Sequence, residues 1–114
     1  MVAKWSFERL KSFPETPYEE LFRKCEQALL ANDLVITRLD ASLGIIEARK
    51  GGRWPFKSER IFITVRRDSK VTAIEKSDMS SGVLSGNVSP DEMITAKFFK
   101  TLKEMTNTNA LPSE

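Results

Sequence analysis

The chain has 114 residues, 40% of them hydrophobic and 30% charged, with a net charge of +2 at neutral pH. That length holds one hydrophobic core, and the composition lies far from the weakly hydrophobic, highly charged range in which chains stay disordered. There is no histidine and a single cysteine, Cys25, which removes Ser-His-Asp and Cys-His catalysis, most zinc and iron sites, and any internal disulfide.

In chain order, Trp5 and Phe7 alternate with Lys4, Ser6 and Glu8, the period of two that predicts a half-buried strand, until Phe13-Pro14 interrupts it. Thr16-Pro17-Tyr18-Glu19 offers an N-cap hydroxyl, a proline at the first helical position and a capping-box glutamate. Behind it, Tyr18, Leu21, Phe22, Cys25, Ala28 and Leu29 recur at helical spacing and predict an amphipathic helix ending near Asn32-Asp33. Residues Leu34 to Leu39 are rich in branched side chains, Asp40 to Gly44 can turn, and Gly44 to Arg49 is extended again, so these read as a hairpin. After Lys50-Gly51-Gly52-Arg53-Trp54-Pro55, a strand runs from Glu59 to Arg66 with Ile61, Ile63 and Val65 on one face and Phe62 and Thr64 on the other. Arg67-Asp68-Ser69-Lys70 turns the chain into Val71 to Lys76, where Val71, Ala73 and Ile74 leave the inward face open. Ser77 to Val88 reads as a loop. A second cap, Ser89-Pro90-Asp91-Glu92, opens a helix with Ile94, Phe98, Leu102 and Met105 on one side.

The order is β-α-β-β-β-β-α within a single α+β domain spanning 1–105, with a C-terminal tail, 106–114, expected to fray. The expected architecture is a two-layer sandwich: an antiparallel sheet of four to five strands with two helices on one face. The beginning of the sequence has no apolar segment of the kind that directs export, no stretch is long and apolar enough to span a membrane, and one unpaired thiol suits a reducing compartment. The expectation is a cytoplasmic protein.

Trp5-Ser6-Phe7, a capped helix, the strand Gly44-Ile45-Ile46-Glu47-Ala48-Arg49 and a closing helix resemble, as an order of elements over about residues 4–105, short bacterial α+β domains of unknown function. The resemblance implies this fold and a bacterial origin. It carries no activity and no functional residues.

Catalysis is not expected, and neither is a metal or a cofactor. Cys25 falls on the apolar stripe of the first helix and reads as a core thiol. Glu19, Glu20, Asp91 and Glu92 lie in first helical turns, where negative charge is favoured by the helix dipole, so they do not point to a carboxylate pair. The serine- and glycine-rich run 80–89 lacks the Gly-Lys-Ser/Thr ending of a phosphate-binding loop and leads into two acids.

The sheet's second face is the informative feature. If Leu34, Ile36, Ile46, Ala48, Ile61, Ile63 and Val65 point toward the helices, alternation sends Val35, Thr37, Ile45, Glu47, Arg49, Arg60, Phe62, Thr64 and Arg66 outward. A sheet covered on one side ordinarily shows water a polar face, whereas this one mixes apolar residues with arginines. Val35, Thr37, Ile45, Arg49, Arg53, Trp54, Arg60, Phe62 and Arg66 are therefore the candidate interaction surface, unless the tail or the loop carrying Trp54 and Phe56 folds over it. The first expectation for its use is a homo-oligomer, formed by burying this face or joining sheet edges, or an unidentified protein partner.

The alternative is a single-stranded nucleic acid or another anionic polymer. Residues 49–70 hold Arg49, Lys50, Arg53, Lys57, Arg60, Arg66, Arg67 and Lys70 against Glu59 and Asp68, so the middle of the chain is its basic part. Those charges are expected to be spread along the sheet rather than gathered. Two further alternatives carry less: a small hydrophobic ligand among Trp5, Tyr18, Phe22, Phe98 and Phe99, residues that at helical spacing read as core, and a membrane contact through Trp54-Pro55-Phe56, which no amphipathic helix accompanies.

Overall fold

The computed structural model describes residues 2–50, 58–80 and 93–110, with side chains described for 6–50, 59–76 and 93–106. Five strands and two helices follow one another as β1 (Val2–Ser12), α1 (Tyr18–Ala31), β2 (Leu34–Asp40), β3 (Ile45–Lys50), β4 (Ser58–Val65), β5 (Lys70–Ser80) and α2 (Ile94–Ala110). This is the expected β-α-β-β-β-β-α order. The strands form one open antiparallel sheet in the spatial order β1-β5-β4-β3-β2. β2 to β5 are the meander, and β1 returns beside β5 to form the far edge.

Both helices lie on the same face. Leu21, Phe22, Cys25, Ala28 and Leu29 from α1 and Ile94, Phe98, Phe99 and Leu102 from α2 are buried against Ile46, Ala48, Ile61, Ile63, Val65, Val71 and Ala73 of the sheet. The period-two and three-four patterns of the sequence thus converge on one core. Phe98 and Phe99 meet edge to face at 5.0 Å, and Phe13 stacks with Phe99 at 6.5 Å. Phe22, Phe98 and Phe99, considered above as an apolar ligand's lining, are packed core. Tyr18 instead directs its hydroxyl to the Ala41 carbonyl.

Three local details differ from the sequence expectations. Thr16 does not cap α1: the helix has no side-chain cap, Pro17 occupies the N-cap, and its carbonyl accepts the Leu21 N–H at 2.8 Å. Thr16 is buried, and its carbonyl accepts the Ser69 hydroxyl at 2.7 Å. Second, β5 extends four residues beyond Lys76, because β1 is long enough to place Val2 to Trp5 opposite Ser80 to Ser77. Third, α2 runs to Ala110, past Met105, the last residue of the apolar stripe read from the sequence. Once a helix is nucleated each further residue adds a hydrogen bond, and the Thr106 hydroxyl donates back to the Lys103 carbonyl at 3.0 Å. The Ser89-Pro90-Asp91-Glu92 cap lies outside the described residues.

The β2–β3 turn is closely specified. Gly44 has φ +73, and a Cβ there would collide with the Val65 carbonyl oxygen; the Val65 N–H donates to the Gly44 carbonyl at 2.8 Å. The Ser42 hydroxyl and the Leu43 N–H both donate to the Asp40 carboxylate, at 2.7 and 3.1 Å. They hold its pKa below the ordinary aspartate value, with the Ser42 hydrogen bond the larger cause. Arg67 lies 4.0 Å over the Tyr18 ring and donates to the Ser42 carbonyl at 3.2 Å.

At the start of α2 a polar group sits inside the core layer. Glu75, on the helix side of β5 and 4% exposed, accepts the Thr95 N–H at 2.9 Å. Its carboxylate satisfies one of the N–H groups left open in a first helical turn, where negative charge is also favoured. Arg9 on β1 donates to the Thr95 hydroxyl at 2.9 Å, so β1, β5 and α2 are tied at one point.

Candidate functional site

The pleat sends the predicted residues to the outer face. Ile46, Ala48, Ile61, Ile63 and Val65 are in the core, while Val35, Thr37, Arg49, Arg60, Thr64 and Arg66 are exposed and Ile45 and Phe62 are half-buried. The strand left open by its sequence resolves with Val71 and Ala73 inward and Ile74 half-buried on the outer face beside Phe62. Among the described residues, neither helix covers this face. Arg53 and Trp54 lie outside the described residues.

Register then sorts the outer side chains into rows running across the strands. One row is Val35, Arg49, Arg60, Lys76 and Ser6, each directly opposite the next. A second is Arg38, Glu47, Phe62, Ile74 and Glu8, and a third is Asp40, Ile45, Thr64, Thr72 and Leu10. Neighbouring strands lie about 4.8 Å apart, and successive rows about 7 Å apart, since outward positions recur every second residue.

The first row sets three cations, Arg49, Arg60 and Lys76, directly opposite one another on three adjacent strands. Like charges directly opposite one another oppose folding by about 0.2–1 kcal/mol where no counter-charge is near, and here the Lys76 ammonium is turned to the Phe62 ring of the next row. Arg60 also has an interaction within the fold. The second row begins and ends with acids around an apolar centre. Glu47 is paired with Arg38 at 3.4 Å, Phe62 and Ile74 form the middle, and Glu8 closes the far end. The Lys76 ammonium stands 5.1 Å from the Phe62 ring centroid, so the aromatic ring is already a site for a cation and joins the two rows.

Two consequences of register were not legible from alternation. β2 carries a bulge between Ile36 and Arg38, which sets Thr37 and Arg38 together near Glu47; the Thr37 hydroxyl donates to the Glu47 carbonyl at 3.1 Å. Arg38 and Lys76 therefore belong to the surface, although strict alternation within β2 and the basic segment 49–70 miss them. Arg66 and Lys70 lie beyond the third row and share Asp68, at 3.2 and 4.0 Å, whereas Arg49, Arg60 and Lys76 are aligned.

The remaining chemistry is sparse. Burial pushes the Cys25 thiol pKa far up, the state of an inert core cysteine. Among the described residues no group of three or more Cys, Asp or Glu side chains could hold a metal ion, and no helix is long and apolar enough to cross a membrane.

Comparison with known proteins gives a fold likeness. No family model matches the chain, and no curated protein matches it. The crystal structure of Ara h 8.0201 is similar, with a TM-score of 0.51 at 13% sequence identity, covering 94% of this chain and 100% of that one. At that identity the likeness concerns the arrangement of the backbone alone.

Proposed function

We propose that this chain is a non-catalytic binding module that docks an anionic polymer on the outer face of its sheet. The observation that carries the reading is the row Arg49, Arg60 and Lys76, three basic residues in register on adjacent strands, with the Lys76 ammonium against a half-buried aromatic ring. Three basic residues in register on adjacent strands favour a ligand carrying several negative charges.

A second copy of the chain fits this face less well. On the three rows Arg38, Arg49, Arg60 and Lys76 stand against Glu8, Glu47 and Asp40, a small positive excess that gives two identical faces no charge complementarity. Homo-oligomerisation belongs instead to the edge. β1 is eleven residues long, hydrogen-bonds within the sheet to β5 alone, and exposes Phe7 and Leu10, which favours antiparallel pairing of two β1 edges about a twofold axis. An intracellular, reducing setting suits the lone buried thiol.

The test is retention on immobilised heparin, a polyanion without bases. The wild-type protein is expected to bind at low salt and elute on a salt gradient, and the folded triple variant Arg49→Gln/Arg60→Gln/Lys76→Gln to elute well before it. Identical elution of the two proteins removes the outer face as the docking surface.

A further inference from the structure

Resting on that polyanion reading, we infer that the polymer is a single-stranded nucleic acid, with its phosphates along Arg49, Arg60 and Lys76 and a base stacked on Phe62. The cation row alone would accept any polyanion; the neighbouring row narrows the choice. Phe62 stands one row from the cations, about 7 Å away along the strands, an offset of the same order as that between a nucleobase and its own phosphate. Ile74, directly opposite Phe62 on β5, widens the ring into an apolar floor. In the third row the hydroxyls of Thr64 and Thr72, also directly opposite each other, lie where a base edge or a ribose hydroxyl would come.

The acids set the direction of the strand. Glu47 and Glu8 stand at the two ends of the apolar floor and repel a phosphate there, so the backbone follows the cation row across β3, β4 and β5 while bases lean toward Phe62. The Lys76 ammonium, now 5.1 Å from the ring centroid, gives up the ring to the base and turns to the phosphate. Duplexes are disfavoured, because bases stacked within a duplex have no face free for the Phe62 ring, whereas unpaired bases stack on aromatic platforms of this kind. An acidic protein would use the cations and leave Phe62 idle.

The experiment compares a ten-residue thymidine oligonucleotide with an abasic oligomer of the same length and charge, read by fluorescence anisotropy at several salt concentrations. Base stacking contributes about 1–3 kcal/mol, or roughly 5-fold to 150-fold in affinity, so wild type is expected to prefer the thymidine strand by at least about 5-fold. Phe62→Leu, which keeps apolar bulk without a ring, is expected to lose that preference. Phe62→Trp is expected to retain it. Arg49→Gln is expected to weaken both ligands and reduce the salt slope by about 0.7. Equal wild-type affinity for the two strands overturns the base assignment while heparin retention leaves the polyanion reading standing; failure to bind either strand or heparin overturns both. Tighter binding of poly-glutamate than of the thymidine strand overturns the inference in favour of an acidic protein.

Discussion

If the cation row exists for a ligand, removing one of its members should make the free protein more stable. Arg49 faces Arg60 directly across β3 and β4. Two unit charges about 6 Å apart at a surface of effective dielectric between about 40 and 80 repel by about 0.7–1.4 kcal/mol before screening, and measured cross-strand pairs lie at about 0.2–1 kcal/mol. Arg49→Gln should therefore raise the unfolding free energy by about 0.2–1 kcal/mol at 0.01 M salt, where the screening length is about 30 Å. In 1 M salt, where it is about 3 Å, the gain should fall to near zero. Arg38 supplies the control: it is exposed and on the neighbouring strand but pairs with Glu47 at 3.4 Å, so Arg38→Gln should lose stability at low salt, by less than about 1 kcal/mol. Urea unfolding at both salt concentrations measures each effect without adding ions. Destabilisation by Arg49→Gln at low salt, or a change indifferent to salt, would mean that Arg49 and Arg60 do not repel each other in the free protein.

Other outcomes follow from the core and the turns. Gly44→Ala must place a Cβ against the Val65 carbonyl at φ +73, and the left-handed backbone alone costs about 1–2 kcal/mol, so a loss of at least about 2 kcal/mol is expected in urea unfolding; a change below about 0.5 kcal/mol would remove the turn constraint. Glu75→Ala leaves the buried Thr95 N–H without its acceptor and should cost about 1–3 kcal/mol, with near-neutrality telling against the tie between β5 and α2. Cys25 should resist thiol reagents in the native protein and react at once in urea. Because its folded pKa is raised, the stability it contributes is full below the unfolded value of about 8.5 and lost as pH rises above it. Cys25→Ala should flatten that alkaline decline, and an unchanged slope would assign it to other groups.

How far the sequence could be read depended on whether a feature was local or relational. Strand alternation in Ile61, Ile63 and Val65 and the helical stripe from Leu21 to Leu29 each report an inward face within one element, and both are buried as their patterns require. Phe62 and Ile45 could be sent outward for the same reason. The alignment of Arg49, Arg60 and Lys76 could not, because it depends on the register of three strands, which is fixed by non-local pairing. The bulge near Thr37 is similarly silent, with no glycine to announce it, and it is what brings Arg38 to Glu47. Glu75 is relational too: its carboxylate is buried on the helix side because α2 brings the Thr95 N–H to it. Thr16 illustrates a motif offset by one residue, since Pro17, which has no capping side chain, takes the N-cap position.

Amide chemical-shift mapping during titration with the thymidine oligonucleotide reads out whether ligand meets the outer sheet face. Perturbations are expected to concentrate at Arg49, Arg60, Phe62, Ile74 and Lys76 and to weaken in high salt. Shifts confined to α1 and α2, or a spectrum unmoved at low salt, would contradict docking there.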